Sequence, residues 1–147
     1  MARGSILEKN SGNGGYLLPV EKVTAAKTLD AVKDSGKLFT LDAAGGAYSL
    51  TLPTTLEVGT QYKLIVAEHT PSNAITIAAG SAIMFGKIAE SEVDTSDDNP
   101  GSSAATGISN LIIGTTAHQV DHVLIECDGK NWYFYGNSAV DGAFTTS

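Results

Sequence analysis

A second cysteine is missing from this chain, and so is any apolar run long enough to cross a bilayer. With Cys127 alone, no internal disulfide can form and no cysteine cluster exists for zinc. Its expected role is that of a small apolar core residue near a strand end. No stretch approaches the ~20 apolar residues of a membrane helix, and Met1-Ala2-Arg3-Gly4-Ser5 is not followed by the apolar segment of a signal peptide. A soluble protein with no membrane partner and no export signal is expected. Basic residues are few as well: nine Lys and Arg against sixteen Asp and Glu give a net charge of -7. Scattered bases cannot follow a phosphate backbone, so nucleic acid is not an expected partner. Catalytic signatures are also missing. There is no G-x-S-x-G nucleophile elbow, and Gly12-Asn13-Gly14-Gly15 lacks the Lys-Ser or Lys-Thr that would make it a phosphate loop. No catalytic residue and no cofactor site is expected.

What the chain does contain is strand signal. Its 147 residues, 42% hydrophobic and 17% charged, suit one domain that buries roughly two thirds of its unfolded surface. From Thr28 onward the apolar period is close to two. Phe39 and Leu41 share one face; Tyr48, Leu50 and Leu52 share another, with Pro53 ending the strand. These two segments are expected to be linked as a hairpin. Tyr62, Leu64 and Val66 point one way while Ile65 marks a partly covered second face, which predicts a central strand. The pairs Ile75/Ile77 and Ile83/Phe85, the segments 108–113 and 120–127, and Trp132 to Tyr135 beyond the Asp128-Gly129 turn complete the pattern. The expected fold is all-β, a compact sandwich or small barrel of about eight to ten short antiparallel strands spanning residues 28–136.

Three segments depart from this rhythm. Residues 1–27 read as an extended arm: a flexible Asn10-Ser11-Gly12-Asn13-Gly14-Gly15 precedes the apolar Tyr16-Leu17-Leu18-Pro19-Val20. Val20, Val23 and Lys27 carry helical spacing over residues 21–31, which Thr24 and Thr28 weaken. Fully extended, such an arm reaches up to ~85 Å, enough to lash one subunit to another. Arg3, Ile6, Leu7, Tyr16, Leu17, Leu18 and Val20 are its candidate contact residues. Residues 89–107, rich in acids and then in small turn formers, predict a long exposed loop. The tail, residues 137–147, is small and polar apart from Val140 and Phe144; it either forms a last edge strand or orders against a neighbour.

Candidate sites within the body are sparse. Asp94, Asp97, Asp98 and Asn99 offer oxygens to a hard cation, but their spacing is not that of an EF-hand and a solvated acidic loop is the favoured reading. His118 and His122, on a strand, stand about 13 Å apart, too far to share a metal. No metal site is expected. In Trp132-Tyr133-Phe134-Tyr135, period two sends Trp132 and Phe134 to one face and Tyr133 and Tyr135 to the other. The tyrosines are candidate interface aromatics, placed either against a neighbouring sheet or subunit or for stacking on a sugar.

Several segments in this order resemble β-domains of tailed-bacteriophage virion proteins: Lys27-Thr28-Leu29, Asp34-Ser35-Gly36-Lys37-Leu38-Phe39-Thr40-Leu41, Thr51-Leu52-Pro53, Val58 through Val66, Ile75-Thr76-Ile77 and Cys127-Asp128-Gly129-Lys130-Asn131-Trp132. Capsid decoration (cement) proteins share this style, as do some tail-fibre or tail-tip receptor- and glycan-binding modules. The resemblance covers about residues 27–136. It implies a homotrimer made in the host bacterial cytoplasm, carried on the outside of the virion head and clamping neighbouring major capsid proteins, with no catalytic residues to carry over. Neither heptads nor a collagen-like repeat precedes the β region, which favours a standalone cement subunit over a fibre tip.

Overall fold

The alternation of apolar and polar residues is realised as strands. The computed structural model describes residues 18–69, 71–93 and 100–147, which hold twelve strands and no helix. Strands are numbered in chain order. One sheet has seven, in spatial order β1 (Val20–Val23), β3 (Leu38–Leu41), β5 (Gln61–Val66), β10 (His122–Cys127), β11 (Trp132–Ser138), β7 (Met84–Val93) and β8 (Pro100–Ile108). The other has five, in order β12 (Phe144–Thr146), β9 (Asn110–Ile113), β6 (Ile75–Ala78), β4 (Tyr48–Thr51) and β2 (Lys27–Thr28). The fold is thus an all-β sandwich.

The first six strands alternate between the sheets, odd numbers in one and even numbers in the other. Each return to a sheet therefore runs in the same direction as the last: β1, β3 and β5 pair in parallel, as do β2, β4 and β6. The chain coils around the core here. The expected hairpin between the Phe39 and Tyr48 segments is accordingly absent, because residues 42–47 carry the chain across from one sheet to the other. Beyond β6 the pattern changes. β7 and β8 pair antiparallel, as do β10 and β11, and β7 lies parallel against β11. The antiparallel pairs β5–β10 and β6–β9 join the two halves. The sheets are mixed where antiparallel strands were expected.

Period-two alternation puts one face of each sheet inside. Phe39, Leu41, Tyr62, Leu64, Val123, Ile125, Trp132 and Phe134 from the larger sheet meet Leu50, Ile75, Ile77, Leu111, Ile113 and Phe144 from the smaller, all buried. The Tyr62 ring lies 5.9 Å from Trp132 and 6.3 Å from Phe39. Buried hydroxyls find acceptors in the first coil: Tyr48 donates to the Val23 carbonyl (3.0 Å) and Tyr62 to that of Asp30 (3.1 Å). Burial pushes the Tyr48 phenol up to about 12. Cys127 is buried at a strand end, where desolvation raises its thiol.

Charged groups fasten the first coil. Lys27 pairs with Glu21 and, at 3.5 Å, with Asp34; Lys37 pairs with Asp34 at 2.6 Å and with Glu21 at 3.1 Å. This alternating ring ties β1, β2 and the turn before β3 together, and the Lys27 ammonium also lies 5.0 Å from the Phe39 ring centre. The turn itself uses Gly36 at φ 81°, a left-handed conformation that glycine adopts freely.

Four expectations change. The final residues of the expected arm form β1, whose parallel pairing with β3 replaces any helix over residues 21–31. The acidic loop expected over residues 89–107 is largely strand: β7 continues to Val93 and β8 begins at Pro100. Backbone groups of β8 are satisfied by the ladder on β7, which β11 already holds in place. The Ile83/Phe85 pair has the wrong phase, since Met84 and Ile88 face the core and Ile83 is exposed. Segment 120–127 starts late: Val120 lies in a turn at φ 75° and the strand begins at His122. In the tail, Phe144–Thr146 is an edge strand on β9.

Candidate functional site

The outward face of the seven-stranded sheet is where the candidate residues converge. Strand register places Val20, Leu38, Lys63, Leu124, Tyr135 and Lys87 opposite one another on six adjacent strands. One pleat further along, Ile65, His122, Asn137 and Ala89 form a second row. At ~4.8 Å per strand, Val20 and Tyr135 lie about 19 Å apart along the first row. Leu38, Ile65 and Leu124 are half-buried, apolar at positions where a solvated face carries polar residues.

Two adjoining depressions follow these rows. One, of about 310 Å³, is lined by Lys63, Leu124, Tyr135, Lys87, His122 and Asn137, with Ala89 and Gly136. The other, about 280 Å³, shares Lys63 and Leu124 and runs back past Leu38 and Gln61 to Leu18. Together they make a shallow trough that ends where β1 begins.

The polar groups around Tyr135 are held by neighbours. His122 Nδ1 lies 3.1 Å from the Val120 carbonyl; a carbonyl only accepts, so Nδ1 carries the proton and Nε2 is the acceptor in the neutral ring. Ser91 donates to Asn137 Oδ1 (3.1 Å), which leaves the Asn137 amide nitrogen as the outward donor. Desolvation, then the charge and hydrogen bond of Glu126, raise the Tyr135 phenol. Among the described residues, neither Lys63 nor Lys87 has an ion-pair partner, whereas Lys22, Lys27 and Lys37 are all paired.

The expected contact residues divide sharply. Leu18 and Val20 are 64% and 62% exposed at the open edge of the sheet. Arg3, Ile6, Leu7, Tyr16 and Leu17 lie outside the described residues, as do Asp94, Asp97, Asp98 and Asn99. Tyr133 and Tyr135 are both exposed on the outward face, with Trp132 and Phe134 buried beneath them. Tyr133, however, is engaged locally: its ring stacks on Phe85 at 5.9 Å and its hydroxyl donates to Asp128 (3.0 Å). Tyr135 alone of the two opens onto the trough. His69 and His118 meet edge to face at 6.1 Å; His118 lies in the turn closed by the Asp121 N–H ahead of β10, not on a strand with His122 as expected. Among the described residues, no three metal-ligating side chains come together.

Sequence reasoning did not single out Leu38, Lys63, Leu124, Lys87 or Asn137, and weighed His122 only as a metal ligand. Leu124 carried a signal, an apolar residue out of phase between Val123 and Ile125, but pairing between distant strands was needed to set Lys63 (antiparallel) and Lys87 (parallel) in one row with it.

The arrangement defines a class, a two-sheet β-sandwich with a cationic and aromatic trough on one outer face. No protein family matches the chain, and no curated protein matches it either.

Proposed function

We propose that this chain is a structural protein of a tailed-phage virion that binds the outside of the capsid as a homotrimer and ties neighbouring major capsid proteins together. The observation that carries the proposal is the exit of the arm. Leu18 and Val20 stand exposed beside β1, which is an edge strand among the described residues, at the end of the trough, so residues 1–17 join the body at its outer face. An open sheet edge beside apolar surface favours association with another chain. Several modest contacts linked on one trimer give an avidity well above any single one. The large buried core suits the body to a bracing role, and the resemblance to decoration proteins points the same way.

The test is binding of the purified protein to empty heads or to assembled capsid-protein lattices. Binding should saturate, raise the temperature at which the heads open, and fall at least tenfold when residues 1–17 are removed. Absence of binding to every lattice tried refutes the proposal. Location on the tail of intact particles by cryo-microscopy replaces it with the tail-fibre or tail-tip reading.

A further inference from the structure

We propose that the depression around Tyr135 is a binding site for a carboxylate-bearing saccharide, a uronate or sialate unit. The site does not depend on where on a particle the body sits.

Four features of the depression match that ligand. Its floor is the half-exposed Tyr135 ring beside Leu124, an apolar platform for the flat C–H face of a pyranose. Lys63 and Lys87 stand on either side of that platform, three strand spacings or about 14 Å apart, and neither ammonium is neutralised by a described residue. The Asn137 amide nitrogen and His122 Nε2 supply one donor and one acceptor for hydroxyls, each left over because its companion atom is bonded to Ser91 or to Val120. The depression, about 310 Å³, is at the small end of ligand sites and suits one or two sugar units.

Charge selects the acidic sugar. The chain as a whole is at -7, yet among the described residues the two ammonium groups beside Tyr135 are unpaired, while the nearby carboxylates are engaged, Glu126 with the Tyr135 hydroxyl and Asp128 with that of Tyr133. At physiological salt, repulsion from acids beyond ~8 Å is largely screened while the two lysines act at contact range. A protein partner fits the features less well. A stable protein interface covers about 800 Å² per side around an apolar, charge-poor centre, whereas here lysines flank the centre.

The experiment is an NMR titration of the full chain with oligogalacturonate, with sialyllactose, and with neutral maltotetraose as control, at low and at physiological salt. Backbone signals of Leu124, Tyr135 and Asn137 should shift with the acidic sugars and not with the neutral one. The double variant Lys63→Ala/Lys87→Ala, at positions that are exposed and without an ion-pair partner among the described residues, should melt like the parent and bind at least tenfold more weakly; Tyr135→Ala should do the same. Lys130→Ala, on a turn away from the trough, should leave binding unchanged. Silence toward both acidic sugars at about 10 mM, weaker than any useful affinity, overturns the proposal. Equal binding of the neutral sugar overturns the charge argument. Binding of a polyglutamate peptide through the same residues, with the sugars silent, assigns the site to an acidic polypeptide instead.

Discussion

The two halves of this sandwich solve the same packing problem differently. Residues 18–78 coil around the core with parallel neighbours in both sheets, and residues 84–147 fold back largely through antiparallel pairs. Parallel strands cannot be joined by a tight turn, so every link in the first half crosses the core. Those crossings are fastened with side-chain charge, with five ion pairs falling within residues 21–42. The second half is fastened by backbone. Asp128 takes the N–H groups of Lys130 and Asn131, Asp121 takes those of His118 and Ala139, and glycines let strands close in. Anchoring by charge should respond to pH, and anchoring by close backbone contact should respond to volume.

The largest expected effect tests the volume side. A Cβ at Gly86 would stand 1.8 Å from the Phe134 carbonyl oxygen, and one at Gly136 would stand 2.1 Å from that of His122. Both obstacles are backbone and cannot rotate away. Gly86→Ala or Gly136→Ala should cost at least ~3 kcal/mol in urea unfolding, while Gly45→Ala, in open space within the first half, should stay within ~0.5 kcal/mol. Comparable losses at all three positions would erase the contrast.

Core truncations should be similar in size but different in kinetics. Leu50→Ala in β4 and Ile125→Ala in β10 both remove fully buried chains and should each cost about 2–5 kcal/mol. The β10–β11 hairpin closes over a short turn, whereas β4 pairs with strands more than twenty residues away in sequence. Local pairs form early and distant ones late. Stopped-flow measurements should therefore give a φ-value above ~0.5 for Ile125→Ala, and one below ~0.3 for Leu50→Ala. The reverse order would mean that the coil is the folding nucleus.

Acid should loosen the first half selectively. The hydrogen bond from Lys27 and the charge of Lys37 hold Glu21 below the usual carboxylate range. Burial opposes ionisation of Asp34, but hydrogen bonds from Lys37 and the Asp30 N–H, with both lysine charges, outweigh it. Carboxyls lowered in the folded state stabilise fully above their unfolded values, near 4, and lose that contribution as pH falls through the folded ones. Lys37, raised first by its hydrogen bond to Asp34, loses its share only as pH climbs above about 10.4, so the acid response belongs to the carboxylates. Hydrogen exchange at pH 3 should thus expose the amides of Val20–Val23 while those of His122–Cys127 stay protected. Asp34→Asn at neutral pH should cost about 1–3 kcal/mol and reproduce the pattern. Uniform loss of protection would show that the ring is not a local clasp.

What could be read from the sequence follows the same division. Period-two alternation identified the apolar segments in both halves, and Trp132, Phe134, Phe39 and Leu41 face the core as expected. The Asp128-Gly129 turn was legible because a tight turn is local chemistry. Parallel pairing was not, since Leu38 meets Lys63 through an arrangement that no neighbouring residue encodes. The trough was hidden too: its two lysines come from strands of different halves, brought beside Leu124 and Tyr135 by pairing between residues far apart in sequence, antiparallel for Lys63 and parallel for Lys87. Of the two tyrosines expected at an interface, only Tyr135 belongs to it.

The smallest expected effect concerns the one described residue other than glycine with a positive φ. Val120 sits at 75° and is 70% exposed, in the turn that feeds β10, with its N–H bonded to the Val66 carbonyl at 3.0 Å. In the first half the same region of backbone space is occupied by Gly36, Gly46 and Gly59, which carry no such cost. A β-branched residue there stores about 1–2 kcal/mol of strain. Val120→Gly relieves it and gives back about 0.5–1 kcal/mol through the freer unfolded chain. The balance is a gain of roughly 0.5–1 kcal/mol, read as a rise of about 1–4 °C in the thermal midpoint. The exposed isopropyl group is retained at this cost on the surface beside His122, so a variant that melts higher but binds capsid lattice or acidic sugar more weakly would place Val120 in the contact itself. A variant that melts lower would show that the side chain packs against something that compensates its strain, and the turn would then belong with the well-fastened parts of the molecule.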